Sequence, residues 1–176
     1  LGSVTTICSD KTGTLTRNEL TVRNIVTAGS VYQASGTGYD PHGSFSENGA
    51  DIPVDGAPDL TEALRAAALC NDAVLNEKEG VWSVDGDPTE GALLTAALKS
   101  GLEPREETKE RPRTDEIPFE SQHRFMATLH HDHIGNGYIY VKGAPERLLE
   151  MCRWELDRNG EQCSLNAKRW LNHIYQ

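Results

Sequence analysis

Positive charge is scarce in this chain: 17 lysines and arginines stand against 27 aspartates and glutamates, a formal net charge of -10 over 176 residues. That deficit argues against a nucleic-acid partner, because phosphate backbones select basic surfaces. It leaves nucleotide binding open, since a small anion needs only one locally positive pocket. Long apolar runs are also missing. No stretch is long enough to cross a bilayer, and the first residues do not read as a signal peptide. The four cysteines, Cys8, Cys70, Cys152 and Cys163, make no CxxC pair and no metal-ligand spacing. Free thiols in a reducing, cytosolic setting are the natural reading. The first residue is not methionine and lies inside a strand-like run, which reads as a piece cut from a larger protein. The length suffices for one domain with its own core.

The β-branched run Val4-Thr5-Thr6-Ile7-Cys8 delivers a carboxylate, Asp10, into a loop containing Lys11, Gly13 and the hydroxyls of Ser9, Thr12, Thr14 and Thr16. Backbone N–H groups in such a loop can point at an anion, Gly13 permits close approach, and Lys11 adds charge. A carboxylate there can act as a nucleophile through an acyl-phosphate. A lone Asp-x-x-Gly would read as an ordinary turn. Here the whole run Asp10–Thr16, with its flanks Ile7-Cys8-Ser9 and Asn18-Glu19-Leu20-Thr21-Val22, resembles the phosphorylation motif of the P-type ATPases letter for letter.

Strands are predicted at 20–28 and 30–34, with a turn at Ala28-Gly29, and then an irregular connection rich in turn residues as far as Pro58. Leu60, Ala63, Leu64, Ala67 and Val74 share one face of a predicted helix over 60–74. A polar turn at 76–80 precedes a short strand at 81–84. Asp87-Pro88-Thr89-Glu90 opens a second helix that Gly101 ends. Asp87 is placed as N-cap, Pro88 at the first helical position, and Glu90 at the capping-box position. The mixed-charge stretch 102–113 reads as a solvated loop. A hairpin is predicted from Phe125–His131 and Tyr138–Val141 around Gly135-Asn136-Gly137. His131 and His133 share a face beside its tip, where a solvated turn is weighed against a metal site. Lys142-Gly143-Ala144-Pro145-Glu146 leads from that strand into a helix over 145–152. Asp157–Gly160 is a turn, and Ser164 is taken to cap a last helix over 165–175, with Trp170 on its buried face.

Three of these stretches also resemble the family's nucleotide-binding domain, and in the family's order. Asp87-Pro88-Thr89-Glu90-Gly91-Ala92-Leu93 is similar to a helix start in the type II pumps, where the glutamate contacts the adenine amino group. Phe119 to Met126 is similar to the adenine-stacking segment, with Arg124 where many members carry lysine. Lys142–Glu146 is similar to the nucleotide-site lysine motif. The resemblance implies an α+β fold, a twisted and mainly antiparallel sheet of about six or seven strands with flanking helices. Residues 1–20 would carry the phosphorylation loop, and 21–176 the nucleotide-binding domain. ATP would bind through Glu90, Phe119, Arg124, Lys142 and Gly143. Asp10 would be the phosphorylated nucleophile, assisted by Lys11, Thr12 and Thr14, and Asp10 and Thr12 would ligate Mg²⁺. The implied partners are the phosphorylation, actuator and transmembrane parts of a cation pump, placing this piece on the cytoplasmic side of a membrane protein. Calcium is the first expectation for the transported ion, with Na⁺/K⁺ behind it. The family's later catalytic lysine and its Gly-Asp-Gly-x-Asn-Asp segment do not occur in these residues, so binding without turnover is expected of this piece. A haloacid-dehalogenase-type phosphatase is the competing enzyme class. Its usual second aspartate is replaced by Thr12, which argues for a long-lived phosphoenzyme. A non-catalytic nucleotide-binding module is the other alternative.

Overall fold

Hairpins joined by tight turns build the first layer. The computed structural model describes residues 19–175. The Asp10–Thr16 motif, and with it every expectation for Asp10, Lys11, Thr12 and Thr14, lies outside them. Strands β1 (Asn24–Val26), β2 (Val31–Ala34), β3 (Phe45–Glu47) and β4 (Ala50–Ile52) form an antiparallel meander in that order. Thr27 closes the first turn: its N–H donates to the Ser30 carbonyl (2.9 Å) and its Oγ1 accepts from the Ser30 N–H (3.0 Å). Strands β3 and β4 stand where the sequence predicts an irregular connection. Asn48 and Gly49, with φ of 52° and 83°, make a two-residue hairpin turn that matches strand twist. Alternation puts Tyr32, Ala34 and Phe45 into the core, against Leu60 and Leu64.

Those leucines belong to helix α1 (Pro58–Leu69), which has proline at its first position. Tyr32 Oη and Thr27 Oγ1 donate to the two carboxylate oxygens of Asp59 (2.9 and 2.6 Å), fixing the meander to the helix start. Burial and that carboxylate push the Tyr32 phenol up to about 12. The helix stops at Leu69 instead of running to Val74. Asn71 Nδ2 donates to the Ala67 carbonyl (3.0 Å) while its Oδ1 accepts from the Ala73 N–H (2.9 Å), so the side chain ends the helix and turns the chain. Val74 then starts β5 (Val74–Lys78), which pairs with β6 (Val81–Asp85) through the Glu79-Gly80 turn.

Helix α2 (Pro88–Lys99) packs its alanines on α1, with Ala97 fully buried. A Cβ on Gly91 would lie 2.8 Å from Val84 Cγ1, so glycine lets the helix approach β6. At its far end the buried Lys99 donates from Nζ to the Ser35 carbonyl (2.8 Å), pinning the connection after β2. Burial draws that ammonium below its ordinary pKa. A third helix, α3 (Pro104–Glu110), forms where a loop is expected. Its alternating charges pair along the helix, Lys109 with Glu106 and Arg111 with Glu107. Arg65 Nε ties Glu107 to α1 at 2.8 Å.

Strands β7 (Arg113–Glu120), β8 (Phe125–His131) and β9 (Gly137–Gly143) make an antiparallel three-stranded sheet. Met126, Thr128 and His130 are its buried row. His130 meets the Arg111 carbonyl through Nδ1 and Thr128 Oγ1 through Nε2 (both 2.9 Å), so its ring is occupied as a core group. Helix α4 (Pro145–Met151) follows, then the hairpin β10 (Trp154–Leu156) and β11 (Gln162–Ser164), then α5 (Ala167–Ile174). Asn166, rather than Ser164, caps α5 by accepting from the Arg169 N–H. Trp170 is half-buried and donates to Glu155. Among the described residues every strand pairing is antiparallel and helices are interspersed, which gives the expected α+β class. The described strands divide into hydrogen-bonded sets of four, two, three and two rather than one continuous sheet.

Candidate functional site

The start of α2 and the ends of β8 and β9 meet in one place. Asp87 caps α2 by accepting from the Thr89 and Glu90 N–H groups (2.8 and 3.2 Å). Burial works against its charge, but those hydrogen bonds prevail and hold its carboxyl below the ordinary range. Glu90 does not fold back to complete a capping box. Its Oε1 receives Lys142 Nζ in an ion pair, and its Oε2 accepts from the Asp72 N–H at 3.3 Å. Both side chains keep some access to solvent, 15% for Glu90 and 23% for Lys142.

Lys142 reaches this point because β9 pairs with β8 in strict register, Lys142 opposite Met126 and Gly143 opposite Phe125. At Gly143 the strands come so close that a Cβ would sit 2.6 Å from Phe125 Cα and 2.7 Å from Phe125 Cβ. Only glycine fits there without moving backbone. The next amide, Ala144 N–H, donates to the Arg124 carbonyl (2.9 Å). Arg124 lies in the left-handed region, φ 60°, after a turn in which its N–H donates to the Glu120 carbonyl (2.7 Å). Its side chain is exposed.

Phe119 is brought into the same row by an irregularity in β7. Ile117 pairs with Ala127 and Glu120 with Phe125, so Pro118 and Phe119 together oppose Met126. Counting back from Glu120 by alternation assigns Phe119 to the row of Met126 and Lys142. Phe119 is 60% exposed, a large apolar residue left uncovered at a strand end. The structure thus joins Glu90 directly to Lys142, Gly143 to Arg124 through the backbone, and Phe119 to both through strand register.

Three contributors have no counterpart among the expected site residues. Asn71 Nδ2 also donates to the Glu90 carbonyl (2.9 Å). The Asp72 amide touches the Glu90 carboxylate. Arg113 grips that same turn, donating to the Leu69 and Asn71 carbonyls (3.3 and 2.8 Å) and to Asp72 (2.7 Å). A terminating asparagine is visible in sequence, but its bonds to a residue 19 positions later are not.

The arrangement offers a carboxylate with unused lone pairs, two cations, an exposed aromatic face and a tight glycine approach. Among the described residues no group of three histidines, cysteines, aspartates or glutamates is placed to hold a metal ion. A cavity among the described residues lies elsewhere. It measures about 790 Å³ and is lined by apolar side chains of α1, α4, α5 and β10, including Leu148, Trp154, Leu156 and Ile174. None of the expected site residues lines it. No described helix is long and apolar enough to cross a membrane.

Comparison with known proteins agrees with the family resemblance. The family model for the P-type ATPase cytoplasmic domain N matches residues 59–175. The chain is 45% identical to the cation-transporting ATPase pma1 of Synechocystis sp., over 94% of this chain and 19% of that protein. It is 39% identical to a calcium-transporting ATPase of Bacillus subtilis, over 85% of this chain and 17% of the relative. For the calcium-transporting ATPase type 2C member 1 of Bos taurus the identity is 36%, over 86% of this chain and 16% of the relative. The chain therefore spans less than a fifth of the length of these relatives. The chain belongs to the cation-transporting P-type ATPases and carries their cytoplasmic domain N.

Proposed function

We propose that this chain is the ATP-binding part of a cation pump that works through an aspartyl-phosphate, with residues 21–176 as the nucleotide-binding domain and 1–20 as the phosphorylation-loop segment. The observation that carries the reading is the Glu90–Lys142 pair at the start of α2, with the exposed Phe119 assigned by strand register to the row of Lys142. These residues fit a purine nucleotide. A carboxylate oxygen has about two acceptor positions, so each oxygen of Glu90 keeps one for a base amino group. Phe119 supplies a stacking face. Lys142 and Arg124 supply charge for phosphate, in planar-fork form at Arg124. Gly143 lets the backbone of Arg124 and Phe125 come close to the strand that carries Lys142.

Asp10 is the proposed nucleophile, with Lys11, Thr12 and Thr14 holding the phosphate loop and Asp10 and Thr12 taking Mg²⁺. When bound, ATP supplies the γ-phosphoryl group and Mg²⁺ neutralises its charge. The names of the relatives favour calcium as the transported ion, and the partners are the remaining domains of the pump, in a membrane. These 176 residues are proposed to bind ATP without turning it over, and steady hydrolysis abolished by Asp10→Asn would overturn that. The binding site is tested by calorimetric ATP titration of the purified chain. Phe119→Ala should weaken binding by about 1–3 kcal/mol, the usual worth of a base–aromatic stack. Lys142→Ala should weaken it about tenfold or more by removing a charged donor. Unchanged affinity in both variants would place the nucleotide elsewhere.

A further inference from the structure

We propose that Asn71 is a positioning residue for Glu90, and that through Glu90 it sets the preference for a nucleobase bearing an exocyclic amino group. The proposal rests on the reading that Glu90 faces the base. Its own content is which residue aims Glu90.

Glu90 sits on the first turn of α2, where the backbone is held only from one side by the Asp87 cap. The other hold comes from the end of α1. Asn71 uses both amide protons and its oxygen there. One Nδ2 proton goes to the Ala67 carbonyl at 3.0 Å and the other to the Glu90 carbonyl at 2.9 Å, while Oδ1 takes the Ala73 N–H at 2.9 Å. A single planar group therefore fixes three backbone points: the last turn of α1, the start of the chain toward β5, and Glu90 itself. The residue that follows, Asp72, then presents its N–H to Glu90 Oε2 at 3.3 Å. Lys142 draws the other oxygen. The carboxylate is thus oriented between two single donors from opposite elements, with acceptor positions to spare.

Arg113 makes the turn rigid. Its guanidinium donates to the carbonyls of Leu69 (3.3 Å) and Asn71 (2.8 Å) and to the carboxylates of Asp72 and Glu116 (both 2.7 Å). Cys70, fully buried between these contacts, directs Sγ at the Met126 carbonyl (3.7 Å). The turn is consequently tied to β7, the strand that carries Phe119, and to β8, which begins just after Arg124. Removing the Asn71 amide would release the Glu90 carbonyl while leaving the Arg113 and Cys70 contacts, and with them Phe119, Lys142 and Arg124, in place. That separates an effect on the base amino group from an effect on stacking or phosphate.

The test compares ATP with purine-riboside 5′-triphosphate, which lacks only the 6-amino group, by calorimetry on the full 176-residue chain. The unmodified chain should prefer ATP about tenfold or more, the worth of a hydrogen bond to a charged group. In Asn71→Ala that preference should fall to within about twofold, with the analogue bound as before. Arg113→Gln, which leaves Asn71 intact, should lose most of the preference as well. In the unmodified chain the Asn71 side-chain amide resonances should shift on adding ATP and move less with the analogue, a readout that needs no variant. If Asn71→Ala keeps the full preference, or weakens both ligands equally, Asn71 does not aim Glu90 and the proposal falls. Glu90→Ala separates the two levels. If it loses the preference while Asn71→Ala keeps it, only the positioning role is wrong. If Glu90→Ala itself keeps the preference, Glu90 does not face the base and the site reading fails with it.

Discussion

Glu47 and Glu90 each accept from a cationic side chain, but their carboxylates are filled to different degrees. Glu47, at the end of β3, takes both Nη atoms of Arg158 on its two oxygens (2.5 and 2.6 Å) and the Ser30 hydroxyl as well. The planar fork matches the carboxylate, and a third donor fills most of what remains. The pair joins the first meander to the β10–β11 turn, and the glutamate is 10% exposed. Glu90 instead meets the point charge of Lys142 and one long amide contact. A filled carboxylate fastens two segments, whereas a half-filled one that can still be reached is able to receive a ligand. Proximity of opposite charges does not distinguish the two, and the count of donors does.

The largest effect is expected where the receiving side depends on backbone proximity. Gly143→Ala would drive a Cβ to within 2.6 Å of Phe125 Cα. Backbone atoms cannot yield as a side chain can, so the β8–β9 pairing must open at that point. A loss of about 2 kcal/mol or more in stability is expected, at the upper end of overpacking costs. Nucleotide affinity should fall with it, because Lys142 precedes the displaced residue. Denaturant unfolding together with ATP titration checks both. A variant of unchanged stability would mean that the strand junction is not what holds Lys142 beside Glu90.

The sequence discloses the parts of this arrangement that rest on local rules. The Asp87 cap, the helix behind it and the β8–β9 hairpin follow from capping chemistry, period-two alternation and a Gly-Asn-Gly turn, and all three are found. The Asn48-Gly49 turn carries an equally local signal, yet β3 and β4 are only three residues each and are lost among neighbouring glycines and prolines. Helix α3 reads as a loop because its charges alternate without an apolar face, and its hold on α1 comes through Arg65 and Glu107, 42 residues apart. The same limit applies at the site. The sequence points to Glu90 and Lys142 as candidates separately, through the family motifs they resemble. That they form an ion pair, and that Asn71 and Arg113 brace Glu90, are long-range facts with no periodicity behind them.

A smaller effect is expected from Glu47→Gln, and its pH dependence tests whether Glu47 is the fastened member of the pair. Arg158 and Ser30 hold the Glu47 carboxyl below its ordinary value. The ionised form is therefore favoured by folding. Its contribution is fully present above the ordinary glutamate pKa of about 4.3 and is lost as pH falls through the lowered folded value. Thermal melts from pH 7 to pH 3 should show the variant melting lower than the unmodified chain at pH 7. The gap should close toward the acid end as the native glutamate protonates. A gap that stays constant across that range would show that Glu47 acts by packing rather than by charge.

The smallest effect is expected from Asp87→Ala, which bears on the receiving side through its least committed contact. Losing the cap should cost about 1 kcal/mol of stability, the usual value for replacing an aspartate N-cap by alanine. It frees the Thr89 and Glu90 N–H groups to water, at a helix start already open to solvent. The Glu90 carbonyl would still be held by Asn71, and its carboxylate by Asp72 and Lys142. The variant should therefore melt a few degrees lower while binding ATP within about twofold of the unmodified chain, since about 1 kcal/mol in stability has no route to the ligand when the orienting contacts persist. An ATP affinity reduced tenfold would instead show that Glu90 is aimed from the cap of its own helix, and that its bonds to the end of α1 are too weak to keep the carboxylate in place.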